Sequence, residues 1–341
     1  MDGASRSAIG AEDRSALLAP GPVRPGAHAV ADRPAPGDRS FIEPGHLVPG
    51  DAAEPITGGS VYALDAFRGA AILCDIGYDR LAGRPFAYAV QSAEAQRIEM
   101  RPLDTLAPPA ARQVIALFSI GRCGSTLLGQ ALTAAGAVVL SELDAFTALG
   151  PLSRRWPSDE SVQDRLAAIA TALTGHVARH APEGPLVLKF RSQAMQAAPA
   201  ICGTGLRPIL LTRDFEGWAA SNARHFPTDP LPGRIDALSH GLNAMARIGP
   251  ALEMLTFRAL LDDPVAAVET CLGAPVPAGR HAAIRACLDR HSQAGTDLET
   301  PRARAGDADI AAAARLWSDT ADRDALARLG LGSDLVPTPP S

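Results

Sequence analysis

The sequence predicts a three-layer α/β domain on a central parallel sheet, with a helical C-terminal part and a small N-terminal extension. Two observations carry the sheet. Short apolar runs recur from Val114 onward: VIALF (114–118), AVVL (137–140), LVLKF (186–190), PILLT (208–212) and EMLTF (253–257). They lack polar alternation, so each strand is expected to be buried on both faces. Helical stretches such as SVQDRLAAIATALTGHVARH and RIDALSHGLNAMARIGPALE lie between them. Strands alternating with helices call for parallel pairing through right-handed crossovers.

The third observation is the C-terminal third, where DPVAAVETCLG, AGRHAAIRACLDRH and DIAAAARLWSDTADRDALARLG read as helices. The main domain is therefore expected over residues 111–336. Residues 1–55 are rich in Pro, Gly, Ala and Asp and poor in large apolar side chains. Such a segment buries too little surface to offset its chain entropy and is expected to be a mostly disordered or loosely docked leader. Residues 56–110 are expected to be a small subdomain or lead-in segment. There SVYALD, AAILCDI and PFAYAV look like strands, or strands beside a short helix. QSAEAQRIEMRPLDTL looks like a helix passing into a strand, and LAPPAARQ like a linker.

Composition excludes several classes. The 341 residues are 47% hydrophobic and 20% charged, which is ordinary for a globular chain. A net charge of −5 offers no broad field for nucleic acid. No run approaches the 18 apolar residues of a membrane span, and MDGASRSAIGAEDRSALLAPG lacks the apolar core of a signal peptide. Cys74, Cys123, Cys202, Cys271 and Cys287 are odd in number and widely spaced, without a CxxC. They suggest neither a disulfide framework nor a zinc site, so a cytoplasmic protein without a metal is expected.

The stretch VIALFSIGRCGSTLLGQAL (114–132) carries the chemistry. It reads as a buried strand, a polar turn with two glycines, and an amphipathic helix. In an open parallel sheet, ligands sit beyond the carboxyl ends of the strands, where this turn lies. Gly121 and Gly124 let successive N–H groups curl inward. The helix beginning near Ser125 adds the positive end of its dipole. Ser125 and Thr126 supply hydroxyls, and Gly136 is placed to end the helix. This is a phosphate-loop-like build. Yet against GxxxxGK[ST], aligned at Gly124, the lysine position is Ser125 and the first glycine position is Ser119. Arg122 supplies positive charge from inside the turn instead. A turn of this kind can also bind nothing.

A second segment, ILLTRDFEGWAASNARHF (209–226), ends a strand at Thr212 and sends Arg213 out at its carboxyl end. Asp214 is a natural N-cap. Ser221 lies about two turns into the next helix, so Arg213 and Ser221 are placed to grip one further anion. The alternative for Arg213 is a surface ion pair.

These residues resemble a family. SIGRCGSTLLGQAL resembles the 5′-phosphosulfate-binding loop of sulfotransferases, especially bacterial and tyrosylprotein-type members with RSGST- or RSGTT-like loops. LLTRDFEGWAAS is similar to their 3′-phosphate motif. TFRALLDDPVAAVETCLGAPV looks like a later family segment, with Arg258 in the usually acidic position. The resemblance runs from residue 114 to about 275 and leaves residues 1–105 uncovered.

The resemblance implies transfer of a sulfuryl group from 3′-phosphoadenosine 5′-phosphosulfate (PAPS), without metal, to an acceptor oxygen or nitrogen. Breaking a sulfur–oxygen bond needs no β,γ-phosphate lysine, but it does need stabilisation of charge on the departing phosphate. The backbone of Arg122, Cys123, Gly124, Ser125 and Thr126, with the Arg122 guanidinium, is expected to supply it. Arg213 and Ser221 are expected to take the 3′-phosphate. The strand LVLKFRSQ lacks the histidine that many members use as general base. Glu142, just beyond AVVL, is chosen for that role, with Asp144 as the nearby substitute. Lys189, the only lysine of the chain, matches a family lysine that stabilises the bridging oxygen; the alternative is an edge lysine. HSQAGTD and PRARAG are expected to close over the nucleotide. His225 and His240 are read as structural or solvated. Cys123 is assigned no redox role.

The acceptor is left open among small molecules, sugars and peptides, with its wall expected from residues 144–185 and 222–250. No membrane or nucleic-acid partner is expected. A degenerate P-loop kinase or nucleotide hydrolase, and a non-catalytic binding protein on the same fold, are the competing readings.

Overall fold

The computed structural model describes residues 13–20, 23, 26–30, 47–49, 55–106, 112–203, 205–225, 231–289, 307–332 and 335. The chain divides into two compact units. One joins Met1–Arg112 to Leu140–Glu183, and the other joins Gln113–Val139 to Gly184–Ser341.

The first unit holds a helical turn α1 (13–18). It also holds the strands β1 (Gly26–Val30), β2 (Leu47–Pro49), β3 (Gly59–Asp65), β4 (Ala70–Gly77) and β5 (Arg97–Pro102), in the order β2-β1-β5-β4-β3. Every pairing given between them is antiparallel. One expectation changes here. The first 55 residues are not all leader, because α1, β1 and β2 lie within them. Pairing with β5 supplies β1 with backbone hydrogen bonds that need no large side chains. Of the two readings open for PFAYAV, the short helix holds: α2 (Tyr78–Leu81) and α3 (Ala87–Glu94) lie between β4 and β5, and Ala87 and Gln91 bury one side of α3.

Residues 140–183 also depart from the expected single domain of 111–336, because they fold with the N-terminal sheet. They form α5 (Asp144–Thr147), α6 (Leu149–Arg155) and the long α7 (Glu160–His180). Asp159 caps α7 by accepting from Val162 N, and Arg14 of α1 pairs with Asp159. Arg112 donates to the carbonyls of Ala181 (3.2 Å) and Pro182 (2.6 Å) beyond the other end of α7. His176, 2% exposed, donates from Nε2 to Gly59 O at 3.0 Å. An apolar stripe announces that α7 is buried. It does not announce which sheet buries it.

The second unit is the α/β one. Its strands are β6 (Val114–Ser119), β8 (Leu186–Lys189), β9 (Arg207–Thr212) and β10 (Glu253–Thr256), with β7 (Val138–Ser141) straddling the division between the units. The sheet order is β10-β9-β6-β8-β7. Parallel registers join β10 to β9, β9 to β6 and β6 to β8; Leu117 faces Ile209 on one side and Lys189 on the other. All six residues of β6 are buried, as expected of a central strand. Helices complete the unit: α4 (Ser125–Ala134), α8 (Ala198–Cys202), α9 (Phe215–His225), α10 (Leu231–Ala246), α11 (Phe257–Asp262), α12 (Pro264–Leu272), α13 (Ala278–Arg285), α14 (Asp307–Thr320) and α15 (Arg323–Arg328). Trp317 of α14 stacks on Phe215 of α9, with ring centroids 5.7 Å apart. This is the central parallel sheet with flanking helices that the sequence predicts. Its loop after β6 sets the site.

Candidate functional site

The turn between β6 and α4 is wound by left-handed residues. Gly121 has φ 75°, Arg122 has φ 55° and Gly124 has φ 86°. Gly124 is the N-cap of α4. It is glycine for a second reason: a Cβ there would lie 2.5 Å from Phe257 Cε2 and closer still to Cδ2. Phe257 thus packs over the turn, and the Arg213 guanidinium stacks on the same ring, 4.7 Å from its centroid. Ser125 and Thr126 open α4 and are half-buried. Gly136, at φ 96°, follows its end.

Cys123 turns the other way. Its Sγ donates to Leu211 O at 3.3 Å, and burial pushes the thiol up to about 11. Its side chain is therefore committed to the sheet.

The second predicted segment meets the first. Arg122 Nε donates to Ser221 Oγ at 3.2 Å, and Arg213 Nη1 donates to Arg122 O at 3.4 Å. The three residues therefore form one cluster, although Arg122 is 91 positions before Arg213. The Arg122 guanidinium thus bonds the hydroxyl to which the resemblance assigns the 3′-phosphate. Burial, then the positive charge of Arg213, with Arg224 and Arg234 beyond, hold Arg122 down at about 10. It stays charged at neutral pH, in a locally positive field.

Trp218, Asp214 and Arg234 hold this arrangement. Trp218 Nε1 donates to Ile120 O at 3.0 Å, pinning α9 to the turn. Asp214 accepts from Gly217 N at 2.6 Å, the N-cap interaction expected of it. Arg234 Nη1 donates to Asn222 Oδ1 at 3.1 Å. Trp218 and Arg224 sit three residues to either side of Ser221, a helical spacing open to inspection. Phe257 and Arg234 carry no comparable signal.

Lys189 ends β8 and is 1% exposed, so it is not an edge lysine. Its Cδ lies 3.9 Å from where a Cβ at Gly129 would be, placing its stem beneath α4. Its charge acts to lower the Cys123 thiol, against the larger effect of burial.

Glu142 directly follows β7 and belongs to the other unit. It is not the cap of α5. Leu143 holds that position, without a side-chain cap bond, and Asp144 is the first residue of the helix. Glu142 has φ 61°. Among the described residues, only Arg122 and Glu142 adopt a positive φ without being glycine. Two of the three side chains assigned to catalysis thus sit in a backbone conformation that costs energy to hold.

Arg258 is exposed and pairs with Asp262 one turn on, at 2.9 Å. His225 bonds Ser221 O from Nδ1 at 2.9 Å, and exposed His240 lies 3.4 Å from Asp236. The segments HSQAGTD and PRARAG lie outside the described residues. Among the described residues, no group of three or more His, Cys, Asp or Glu is placed to hold a metal, and no helix is long and apolar enough to cross a membrane.

No family model matches the chain, and no curated protein matches it. Among solved structures, the sulfotransferase domain from the Synechococcus PCC 7002 olefin synthase is similar at 15% identity and a TM-score of 0.32. That match covers 63% of this chain and 96% of that domain. A likeness this remote leaves the function to be read from the chain's own side chains.

Proposed function

We propose that this protein is a sulfotransferase that moves a sulfuryl group from PAPS to a hydroxyl or amine acceptor. One observation carries the reading. The arginine inside the glycine turn is hydrogen-bonded to Ser221 and carries Arg213 on its carbonyl, so the two segments form one cluster of cationic and hydroxyl groups, which supports a shared anion site. The turn also lacks the lysine that a phosphoryl-transfer loop places after its last glycine.

The residues present fit such a donor. In this reading the left-handed turn and the first turn of α4, which Ser125 and Thr126 open, serve one anion with their N–H groups and hydroxyls. Arg213 and Ser221 serve the second. When bound, PAPS supplies the activated sulfuryl group and a good leaving phosphate. The positive field of Arg122 favours the charge that gathers on that phosphate. Lys189, buried beneath α4, adds a second positive charge to this end of the unit. Glu142 serves as the base that takes the acceptor proton; its constrained backbone supports that assignment.

Two measurements test this. In thermal shift, 3′,5′-adenosine bisphosphate is expected to stabilise the protein by about 2.7 kcal/mol at a hundredfold excess over Kd, and ADP with Mg²⁺ to stabilise it less. Preferential stabilisation by ADP and Mg²⁺ overturns the reading in favour of a phosphoryl-transfer enzyme. Transfer of radiolabelled sulfate from PAPS to a library of alcohols, amines, sugars and peptides then separates enzyme from binding protein. Glu142→Gln is expected to lose about 10²–10⁴ of the rate; full activity in that variant removes Glu142 as the base.

A further inference from the structure

We propose that Ser192 holds the group being transferred: its hydroxyl donates to a sulfuryl oxygen of the bound donor, from the β8 side of the turn. The inference rests on the PAPS reading and adds a residue that lies outside the motifs of that reading.

The carboxyl edge of the sheet has two sides at the turn. In the order β10-β9-β6-β8-β7, Phe257 follows β10 and Arg213 follows β9, both on one side of β6. Ser192 follows β8, on the other. The two glycines of the turn meet these sides differently. A Cβ at Gly124 would run into the Phe257 ring, so that side is closed. A Cβ at Gly121 would stand 3.5 Å from Ser192 Oγ and 3.6 Å from Ser192 Cβ, at ordinary contact. The missing Cβ therefore leaves a gap about the size of a methyl group between the turn and the hydroxyl, and a ligand oxygen fits a gap of that size.

The backbone of Ser192 is well anchored. Phe190 N donates to Leu117 O at 2.9 Å, so pairing with β6 extends past Lys189. Ser192 then opens a short 3-10 helix (Ser192–Ala197), of which Ala194, Met195, Gln196 and Ala197 are buried. Met195 Cβ lies 3.2 Å from where a Cβ at Gly241 of α10 would be. The hydroxyl itself is not committed. Among the described residues it bonds only Gln193 Oε1, at 3.5 Å, which is longer than the usual O–H···O bond.

In the transfer, the bond from sulfur to the phosphate oxygen breaks and a bond from sulfur to the acceptor oxygen or nitrogen forms. The bisphosphate leaves with the electron pair, and the acceptor proton passes to the base. Ser192 keeps its own proton. The terminal sulfuryl oxygens carry negative charge throughout, and a donor fixed beside them beforehand costs no reorganisation. A neutral hydroxyl also adds no cation on the acceptor's side, where a cation would make a carboxylate base weaker.

The test is titration calorimetry on the full chain with PAPS, 3′,5′-adenosine bisphosphate and inorganic sulfate. PAPS differs from the bisphosphate only in its sulfuryl group. Ser192→Ala is expected to weaken PAPS by about tenfold or more, as for the loss of a hydrogen bond to a charged group, and to leave the bisphosphate unchanged. An unchanged ratio of the two affinities overturns the proposal, whether both ligands weaken together or neither does. If the wild type does not bind PAPS, the PAPS reading falls. Ser192 then stands as an oxyanion ligand if inorganic sulfate binds and Ser192→Ala weakens it about tenfold; without that loss the proposal falls too. Ser192→Gly, which also lacks the hydroxyl, serves if the alanine variant does not fold.

Discussion

Gly124→Ala tests whether the turn is built as described. Two costs are readable. An alanine at φ 86° enters the left-handed region, at about 1–2 kcal/mol. Its Cβ would also lie 2.5 Å from Phe257 Cε2, so the ring must move, and overpacking of this kind costs about 1–3 kcal/mol. The expected loss is therefore about 2–5 kcal/mol, a sizeable share of the roughly 5–15 kcal/mol that holds a domain. At about 2–4 °C per kcal/mol, the melting temperature should fall by about 4–20 °C. Phe257 also carries the Arg213 guanidinium, so moving the ring displaces a proposed phosphate ligand. Affinity for 3′,5′-adenosine bisphosphate should fall together with stability. Calorimetric melting and titration of Gly124→Ala, Phe257→Ala and the double variant give a thermodynamic cycle. The double variant should recover the steric part of the loss and keep the conformational part. A Gly124→Ala protein that melts and binds like the wild type refutes the description of the turn. Strict additivity in the cycle refutes the contact with Phe257.

Three further outcomes are expected. His176 is buried, donates to Gly59 O, and faces His180, Arg101 and Tyr78; desolvation, chiefly, brings it down to about 4. The unfolded chain then binds its proton first as pH falls. Stability is therefore full above about pH 6.5 and is lost toward pH 4, by about 3 kcal/mol; urea midpoints at pH 7 and pH 4.5 should show the drop, and His176→Gln should flatten it. Cys123 is buried with its thiol raised to about 11, so the folded protein at pH 7.5 should leave it unmodified by iodoacetamide, with mass spectrometry of peptides as the readout. Asp263 caps α12 by accepting from Val265 N and Ala266 N, both at 3.1 Å, so Asp263→Ala should cost about 0.5–2 kcal/mol in chemical denaturation without changing nucleotide affinity.

The sequence by itself determined the elements of the second unit and the candidate residues of its loop. Buried apolar strands alternating with amphipathic helices admit one kind of sheet, and both signals are local. Local chemistry likewise singled out Gly121, Arg122, Gly124, Arg213 and Ser221 as candidates, because glycine, arginine and serine at strand ends are residue types suited to an anion. Tertiary structure decided the rest. Residues 140–183 fold with the N-terminal sheet because α7 finds Gly59 and the guanidinium of Arg112, far away in sequence. Arg122 turns toward Ser221, Arg234 arrives from the next helix, and Phe257 closes over Gly124, none of which a linear pattern encodes. The positive φ of Arg122 and Glu142 is of the same kind, since a non-glycine residue is held there by what surrounds it rather than by its own preference. Periodicity and turn chemistry act between neighbours in the chain. Burial, charge crowding and backbone strain act between neighbours in space.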